Sequence, residues 1–462
     1  MKEEKSQLKK GVILNYINIG LGNLIPIFYT PVMLQLLGQS EYGLYKLSSS
    51  VTSYLSLVSL GIGSAVTRYL IKYKVEGSKK DEEKILGLFM IIFQIIAIAT
   101  LLIGTFLIFN LHIWYDKSLT SSQLMRMKIL VALMVCNMAI SFSVSPYISV
   151  VNAHEKFVFL QCMNILSTCI APIANLVMLY MGYKSIGMAI STLVINVIVQ
   201  LLYLIYVRKK LRIHARYRKL PLELLKEILV FSFWIFLANV VSQLYSATDT
   251  VMIGAIPALA TVGTAIYNVG NTLNSIVFTM TTGISNVLSP KTNRMVFAGS
   301  NKNELLKFAI SIGRIQAYII SLIVTGFIAF GQPFIYFYAG SKYSDAYWVA
   351  IFMMVPNLIP LVQSVCLNII VAENRHRFRS IVYLGIAILN VIGTWILMQS
   401  MGIIGAALMT GIALIIGQGF VMNWYYWKKI KLDIPKFWKE VGSVFCIPII
   451  MCIIVKVIAR YV

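Results

Sequence analysis

Charge is what this sequence has least of. Only 12% of its 462 residues are Asp, Glu, Lys or Arg, against 58% hydrophobic, and that balance excludes an ordinary soluble globular chain, in which about a quarter of residues are charged. Acids are scarcer still, 17 against 40 Lys and Arg. The four histidines, His112, His154, His214 and His376, fall in loops or at the ends of apolar segments, which excludes a transmembrane histidine relay. Six cysteines (Cys136, Cys162, Cys169, Cys366, Cys446 and Cys452) lie inside apolar segments without metal spacing or an extracellular framework, so they read as packing residues. There is no GxxxxGK[ST] loop, no HExxH pair, no nucleophile elbow and no close carboxylate pair within a span; self-powered ATP hydrolysis and the common hydrolytic chemistries are therefore excluded. No cofactor or metal is implied, and the chain is not read as an enzyme.

What is present is a succession of long apolar segments. Spanning a hydrocarbon core of about 30 Å takes roughly 20 helical residues, and about thirteen stretches of the sequence meet that length. The first six run Gly11–Leu37, Gly43–Ile71, Ile85–Phe109, Ile129–Val151, Phe157–Met181 and Ile186–Val207. The next six run Ile228–Gly254, Val262–Pro290, Leu305–Phe330, Ala346–Ala372, Ser380–Met401 and Ile404–Trp427, and a thirteenth runs Val441–Ala459. The first is too long for a signal-peptide core and reads as a retained helix. The odd total leaves three readings open: an unpaired last helix, a miscounted segment, or a final helix that relatives possess and this chain lacks. The loops are too short to build an external catalytic domain.

A net charge of +23 could indicate a nucleic-acid partner, but its distribution says otherwise. With the N-terminus placed inside, the inner segments hold 30 Lys and Arg and the outer ones 6. Arg68, Arg314, Lys456 and Arg460 lie in spans or at their ends. That asymmetry is the positive-inside rule, and it implies a multi-pass protein of a cytoplasmic membrane with a cytoplasmic N-terminus. Contact with anionic lipid head groups follows; nucleic acid does not.

The chain is also duplicated. Gly38–Val66 repeats at 258–286 with an offset of 220 residues, so that Gly43 meets Gly263 and Gly63 meets Gly283. VNAHEKF at 151–157 answers VAENRHRF at 371–378, and SIGMAISTL around Gly187 answers IIGAALMTG around Gly405. An even number of spans per copy makes the copies parallel. The expected fold is an all-α polytopic membrane protein: two parallel six-helix bundles related by a pseudo-two-fold axis along the membrane normal, plus one C-terminal helix. The expected domains are 1–207, a basic cytoplasmic linker at 208–226 (RKKLRIHARYRKLPLELLK), 227–430, and an extra helix in 431–462.

Polar residues inside the spans recur at helical spacing. Asn15, Asn18 and Gly22 do so in the first span, and Ser49, Ser53, Ser56, Gly63 and Thr67 in the second. Asn239, Ser242, Gln243, Ser246, Asp249 and Thr250 do so in the seventh, and Asn268, Asn271, Ser275, Thr279, Thr282 and Asn286 in the eighth. Such rows either line a wet cavity or let helices pack closely. Arg314, counted from Leu305, lies at a depth of roughly 14 Å and is expected to face water, a partner or substrate; a structural tether to carbonyls is the bland reading. Asp249 is the one acid placed well inside a span, available for a coupling Na⁺ or H⁺, a cap or an ion pair. Arg68 and Lys46 can instead snorkel to the surface.

GQSEYGLYKLSSSVTSYLSLVSLGIGSAVTRYL at 38–70, ATDTVMIG around Asp249, YAGSKYSDAYWVA at 338–350 and GIIGAALMTG at 402–411 resemble the Wzx-type polysaccharide-biosynthesis flippases, of the superfamily that also holds multidrug and toxin extruders and lipid II flippases. The resemblance covers nearly the whole chain. It implies two bundles forming a V, a central cavity lined by spans one, two, seven and eight, and alternating access. The implied cargo is a polyprenyl-diphosphate-linked oligosaccharide, delivered to polysaccharide assembly enzymes. The candidate substrate contacts are Arg314, Arg68, Asn18, Asn239, Gln243, Asn268 and Asn271, and the candidate coupling residue is Asp249. Lipid II flippases carry more cavity arginines on the first two spans, where this chain has Asn18, Asn23 and only Arg68. A cation-coupled drug antiporter of the same fold would need a carboxylate cluster in its first lobe, where none is evident, and a polysaccharide polymerase or ligase would need a large outer loop.

Overall fold

Long helices follow from the composition, because in hydrocarbon every backbone amide must be satisfied within its own segment. The computed structural model describes residues 2–458 apart from 77, 219, 222 and 374, and among these it contains helices, turns and no strand. In order, the helices are α1 (Lys2–Leu37), α2 (Gln39–Ser53), α3 (Ile62–Glu76), α4 (Lys79–Tyr115), α5 (Ser121–Ala153), α6 (Phe157–Tyr180), α7 (Lys184–Ile205), α8 (Leu224–Ser246) and α9 (Thr248–Ala255). They continue as α10 (Ala260–Phe297), α11 (Lys302–Ala339), α12 (Ala346–Val362), α13 (Ser364–Ala372), α14 (His376–Leu414), α15 (Asn423–Lys428), α16 (Ile434–Gly442) and α17 (Cys446–Ile458).

Among the described residues ten helices are long and apolar enough to cross a membrane, eleven when α12 and α13, bent by 50°, form one span. Two features separate that number from the thirteen stretches read from sequence. Helix α10 is 38 residues long, but Asn268, Asn271, Asn274 and its threonines leave it too polar to qualify. The stretch 378–428 runs as one helical segment of 51 residues, although Gly402, at φ 59° and ψ −139°, breaks it where the eleventh and twelfth spans were expected to part. Gly182, 220 residues earlier, also has positive φ, at 85°, in the turn between α6 and α7. Both turns need the backbone region that only glycine enters freely.

Caps mark where the helices start. Thr120 and Gln123 form a reciprocal capping box on α5, with contacts of 3.3 and 2.9 Å, and Asn301 accepts the Glu304 amide at 2.8 Å on α11. Hydroxyls within the helices return to the preceding turn, as in Ser48 to the Leu44 carbonyl and Thr100 to that of Ile96, both at 2.8 Å. Helix α4 shows how the sequence divides its faces. Phe89, Phe93, Ile96 and Ala97 are buried, whereas Ile95, Ile98, Leu102, Phe106 and Phe109 form an exposed stripe at three- and four-residue spacing. An apolar stripe of that length is a lipid-facing surface.

The chain forms two compact units, Met1–Thr261 and Val262–Val462. The division falls beyond the basic linker, so the seventh expected span packs with the first unit. The reason is close contact along its length. A methyl on Gly61 would stand 2.8 Å from the Phe236 amide nitrogen, and one on Gly254 2.4 Å from a Leu47 methyl, so the seventh span presses on the second at two places along its length. The linker itself is docked. The Arg216 amide donates to the Glu83 carbonyl at 2.9 Å, its Nε lies 3.2 Å from Glu83 Oε2, and Ile213 enters the core cluster of Tyr69, Phe89 and Tyr147.

Candidate functional site

In the first unit the polar rows of the second and seventh spans meet. The second span is not one helix: α2 ends at Ser53, a tight helical turn occupies Tyr54–Ser59, and α3 begins at Ile62. That break turns Tyr54 toward α9, where its hydroxyl lies 2.6 Å from Thr248 Oγ1. One residue earlier, Ser53 Oγ accepts from Gln243 Nε2 on α8. Asp249, 2% exposed, occupies the first turn of α9, a position the helix dipole favours for an anion. Hydroxyl, amide and carboxylate thus converge where both spans are broken.

Not every expected residue joins them. Arg68 lies on α3 with its guanidinium 4.5 Å from the Phe231 ring centre, a cation–π contact that ties α3 to the start of α8. Asn18 accepts from Thr168 Oγ1 at 3.1 Å, which links α1 to α6. Asn239 and Ser242 are exposed on α8. In the second unit, Asn268 is buried and donates to the Thr264 carbonyl at 2.9 Å, while Asn271 is half-buried and Ser275 and Thr279 are exposed on α10. The side chains of Ser246, Asn286 and Lys456, and Arg460 altogether, lie outside the described residues. Lys46 is half-buried, 5.6 Å from the Tyr42 ring centre.

Arg314 lines a cavity of about 690 Å³ with Lys307 and Ser311 of α11 and Lys436 and Glu440 of α16; neither Asn268 nor Asn271 belongs to that lining. Helix α11 has 38 residues, about 57 Å at 1.5 Å per residue, which exceeds a hydrocarbon core of about 30 Å; Arg314 lies twelve residues, about 18 Å, from the start of that helix.

Sequence reasoning passed over several polar groups. Glu41 is buried at the start of α2, where it takes Arg126 Nη1 at 2.9 Å and the Ser185 hydroxyl. Glu82 receives His154 Nε2 at 2.6 Å. Amides inside other spans also pair. Asn196 Nδ2 donates to Asn137 Oδ1 at 2.7 Å and to Ser141 Oγ at 2.8 Å, and Gln316 Nε2 donates to Ser285 Oγ at 2.6 Å. Asn137, Asn196 and Gln316 were visible as amides in apolar runs, but none belongs to the four spans whose rows stood out; of their partners only Ser285 does, on the eighth. No group of three or more His, Cys, Asp or Glu among the described residues is arranged to hold a metal ion.

Residues 8–294 match the family described as "Polysaccharide biosynthesis protein". Among solved structures, the chain is similar to "Lipid II flippase MurJ, inward closed conformation", with 17% identity, 97% of each chain covered and a TM-score of 0.74. It is also similar to an inward-facing multidrug resistance MATE family transporter of the MOP superfamily, at 15% identity over 93% of this chain and 99% of that one, TM-score 0.69. A Vibrio cholerae MATE transporter, VcmN, aligns at 14% identity over 94% and 99%, TM-score 0.62. These likenesses establish the fold of that superfamily for an all-helical, multi-pass membrane chain. No curated protein matches the sequence.

Proposed function

Because the chain belongs to the polysaccharide biosynthesis protein family, we propose that it is a flippase for polyprenyl-diphosphate-linked oligosaccharide repeat units. It carries them from the inner to the outer leaflet of a bacterial cytoplasmic membrane by alternating access, for assembly enzymes that build a surface polysaccharide. Its N-terminus is cytoplasmic on the positive-inside argument. The observation that carries this reading is the exposure of an amide and a hydroxyl on a membrane helix of the first unit, Asn239 and Ser242 on α8. Against hydrocarbon such groups are unfavourable, whereas in a wet passage they exchange water for sugar hydroxyls at little net change. Asn18, Gln243, Asn268 and Asn271 extend the amide supply. Arg68 and Arg314 offer guanidinium groups, which hold phosphate oxygens by charge-assisted, bidentate bonds. Asp249 is the proposed coupling group for Na⁺ or H⁺.

Deletion of the gene should leave lipid-linked repeat units on the inner leaflet, and wild-type protein should clear them. Asn239→Ala combined with Ser242→Ala should clear them more slowly at equal membrane abundance. Repeat units that reach the outer leaflet unpolymerised in the deletion strain would point to a polymerase or ligase instead. Normal pools together with drug sensitivity would point to an antiporter.

A further inference from the structure

Positive charge without a counter-ion gathers at one place in the second unit. Lys307 and Arg314 of α11 and Lys436 of α16 face the 690 Å³ cavity, with Glu440 as the single acid in its lining. Among the described residues none of these four forms an ion pair. The local balance is therefore three positive charges against one negative. Held together next to an apolar phase, uncompensated cations repel one another and call for an anion.

The surroundings specify what kind of anion. Lys307, Ser311 and Arg314 follow at four- and three-residue spacing on one face of α11, and Arg314 lies about 10 Å further along the axis than Lys307. The lining also includes Leu306, next to Lys307, and Ile310, between the two cations. Helix α16, IPKFWKEVG, buries Ile434, Phe437 and Val441 and exposes Lys436 and Lys439, an amphipathic start to the candidate span Ile434–Ile454. Next in the chain, α17 packs on α11 and exposes Ile447, Ile450 and Ile454 along one face. A soluble phosphate would use only the cations of the lining, whereas a lipid would also use its apolar members Leu306 and Ile310 and, beyond the cavity, the exposed face of α17.

We propose that this cavity is a binding site for the phosphate of an anionic lipid, with Lys307, Lys436 and Arg314 around the phosphate and the hydrocarbon chains against α17. With a polyprenyl diphosphate as occupant the site rests on the proposed transport function, whose phosphate Arg314 would hold; with a glycerophospholipid it stands apart from that function. Its phosphate can come from a glycerophospholipid of the leaflet or from a polyprenyl diphosphate, and the test separates these sources.

The full-length protein, purified in detergent, is titrated with phosphatidylglycerol, phosphatidylcholine or polyprenyl diphosphate, and lipid adducts are read by native mass spectrometry. Retention of phosphatidylglycerol well above phosphatidylcholine supports the site with a membrane lipid as occupant. Retention of polyprenyl diphosphate alone supports it with cargo as occupant. Lys307→Gln with Lys436→Gln should weaken the retained anionic lipid about 30-fold, at roughly tenfold per 1.4 kcal/mol and about 1 kcal/mol per basic residue, whereas Lys117→Gln should not. Glu440→Gln, which removes the opposing charge and disturbs no ion pair, should tighten it about fivefold. Equal retention of anionic and zwitterionic lipid, or Lys307 and Glu440 variants that both bind as wild type, overturns the proposal. A loss of lipid binding with normal flipping separates this site from the transport function.

Discussion

The Tyr54 hydroxyl lies 2.6 Å from Thr248 Oγ1, joining the break in one membrane span to the break in another, 194 positions away in sequence. With the neighbouring Gln243 and Ser53 contact, it makes the polar rows of two expected spans into a single feature of the first unit. Hydrogen bonds between membrane helices average about 0.6 kcal/mol, so this junction orients the helices more than it stabilises them. Its position beside Asp249 is the more consequential property.

That weak tie is measurable by a double-mutant cycle. Tyr54→Phe and Thr248→Val, alone and together, should give a coupling of about 0.6 kcal/mol in reversible unfolding from mixed micelles. Strict additivity would show that the two side chains do not bond.

Gly43 and Gly22 make a matched pair of substitutions. A methyl at Gly43 meets the Thr261 carbonyl at 1.8 Å, whereas one at Gly22 meets nothing within 4 Å. Gly43→Ala should therefore lower stability by about 1–3 kcal/mol, the usual range for overpacking. Gly22→Ala should be neutral or raise it by about 0.5–1 kcal/mol through helix propensity. Comparable thermal unfolding of the two variants would contradict the close approach.

Asp249→Asn removes a buried carboxyl group while keeping the side chain's shape. If Asp249 carries the coupling ion, vesicle transport by the variant loses its dependence on the Na⁺ or pH gradient but keeps downhill exchange. A gradient dependence equal to wild type removes Asp249 from coupling.

The basic linker should resist protease because it is docked. A Cβ at position 87 would lie 1.9 Å from the Arg216 carbonyl oxygen, so Gly87→Ala should displace the linker and raise the rate of tryptic cleavage between Arg208 and Arg218 several-fold. Arg216→Ala should have a smaller effect, since its ion pair with Glu83 is half exposed and such pairs contribute about 0–1 kcal/mol. Unchanged cleavage of the Gly87 variant would mean that the contact does not hold the linker.

Membrane residence, the helical class and the run of apolar segments were legible in the chain alone, because hydrocarbon permits few backbone solutions and hydropathy reports them directly. The repeat was read from pairs such as Gly43 and Gly263 at an offset of 220; Gly182 and Gly402, at the same offset, mark turns with positive φ that tolerate little but glycine. The polar rows were visible as periodicity on single helices. Which rows touch was decided by packing between helices distant in sequence, and so the meeting of Ser53 and Tyr54 with Gln243 and Thr248 had no local signal. The same holds for Arg314, whose charge was conspicuous in its apolar run. Its surroundings of Lys307, Lys436 and Glu440 came only from the way α16 folds back on α11, more than a hundred residues later. A helix presents its own faces by local rules, but the partner of each face is chosen by the whole chain's competition for close packing.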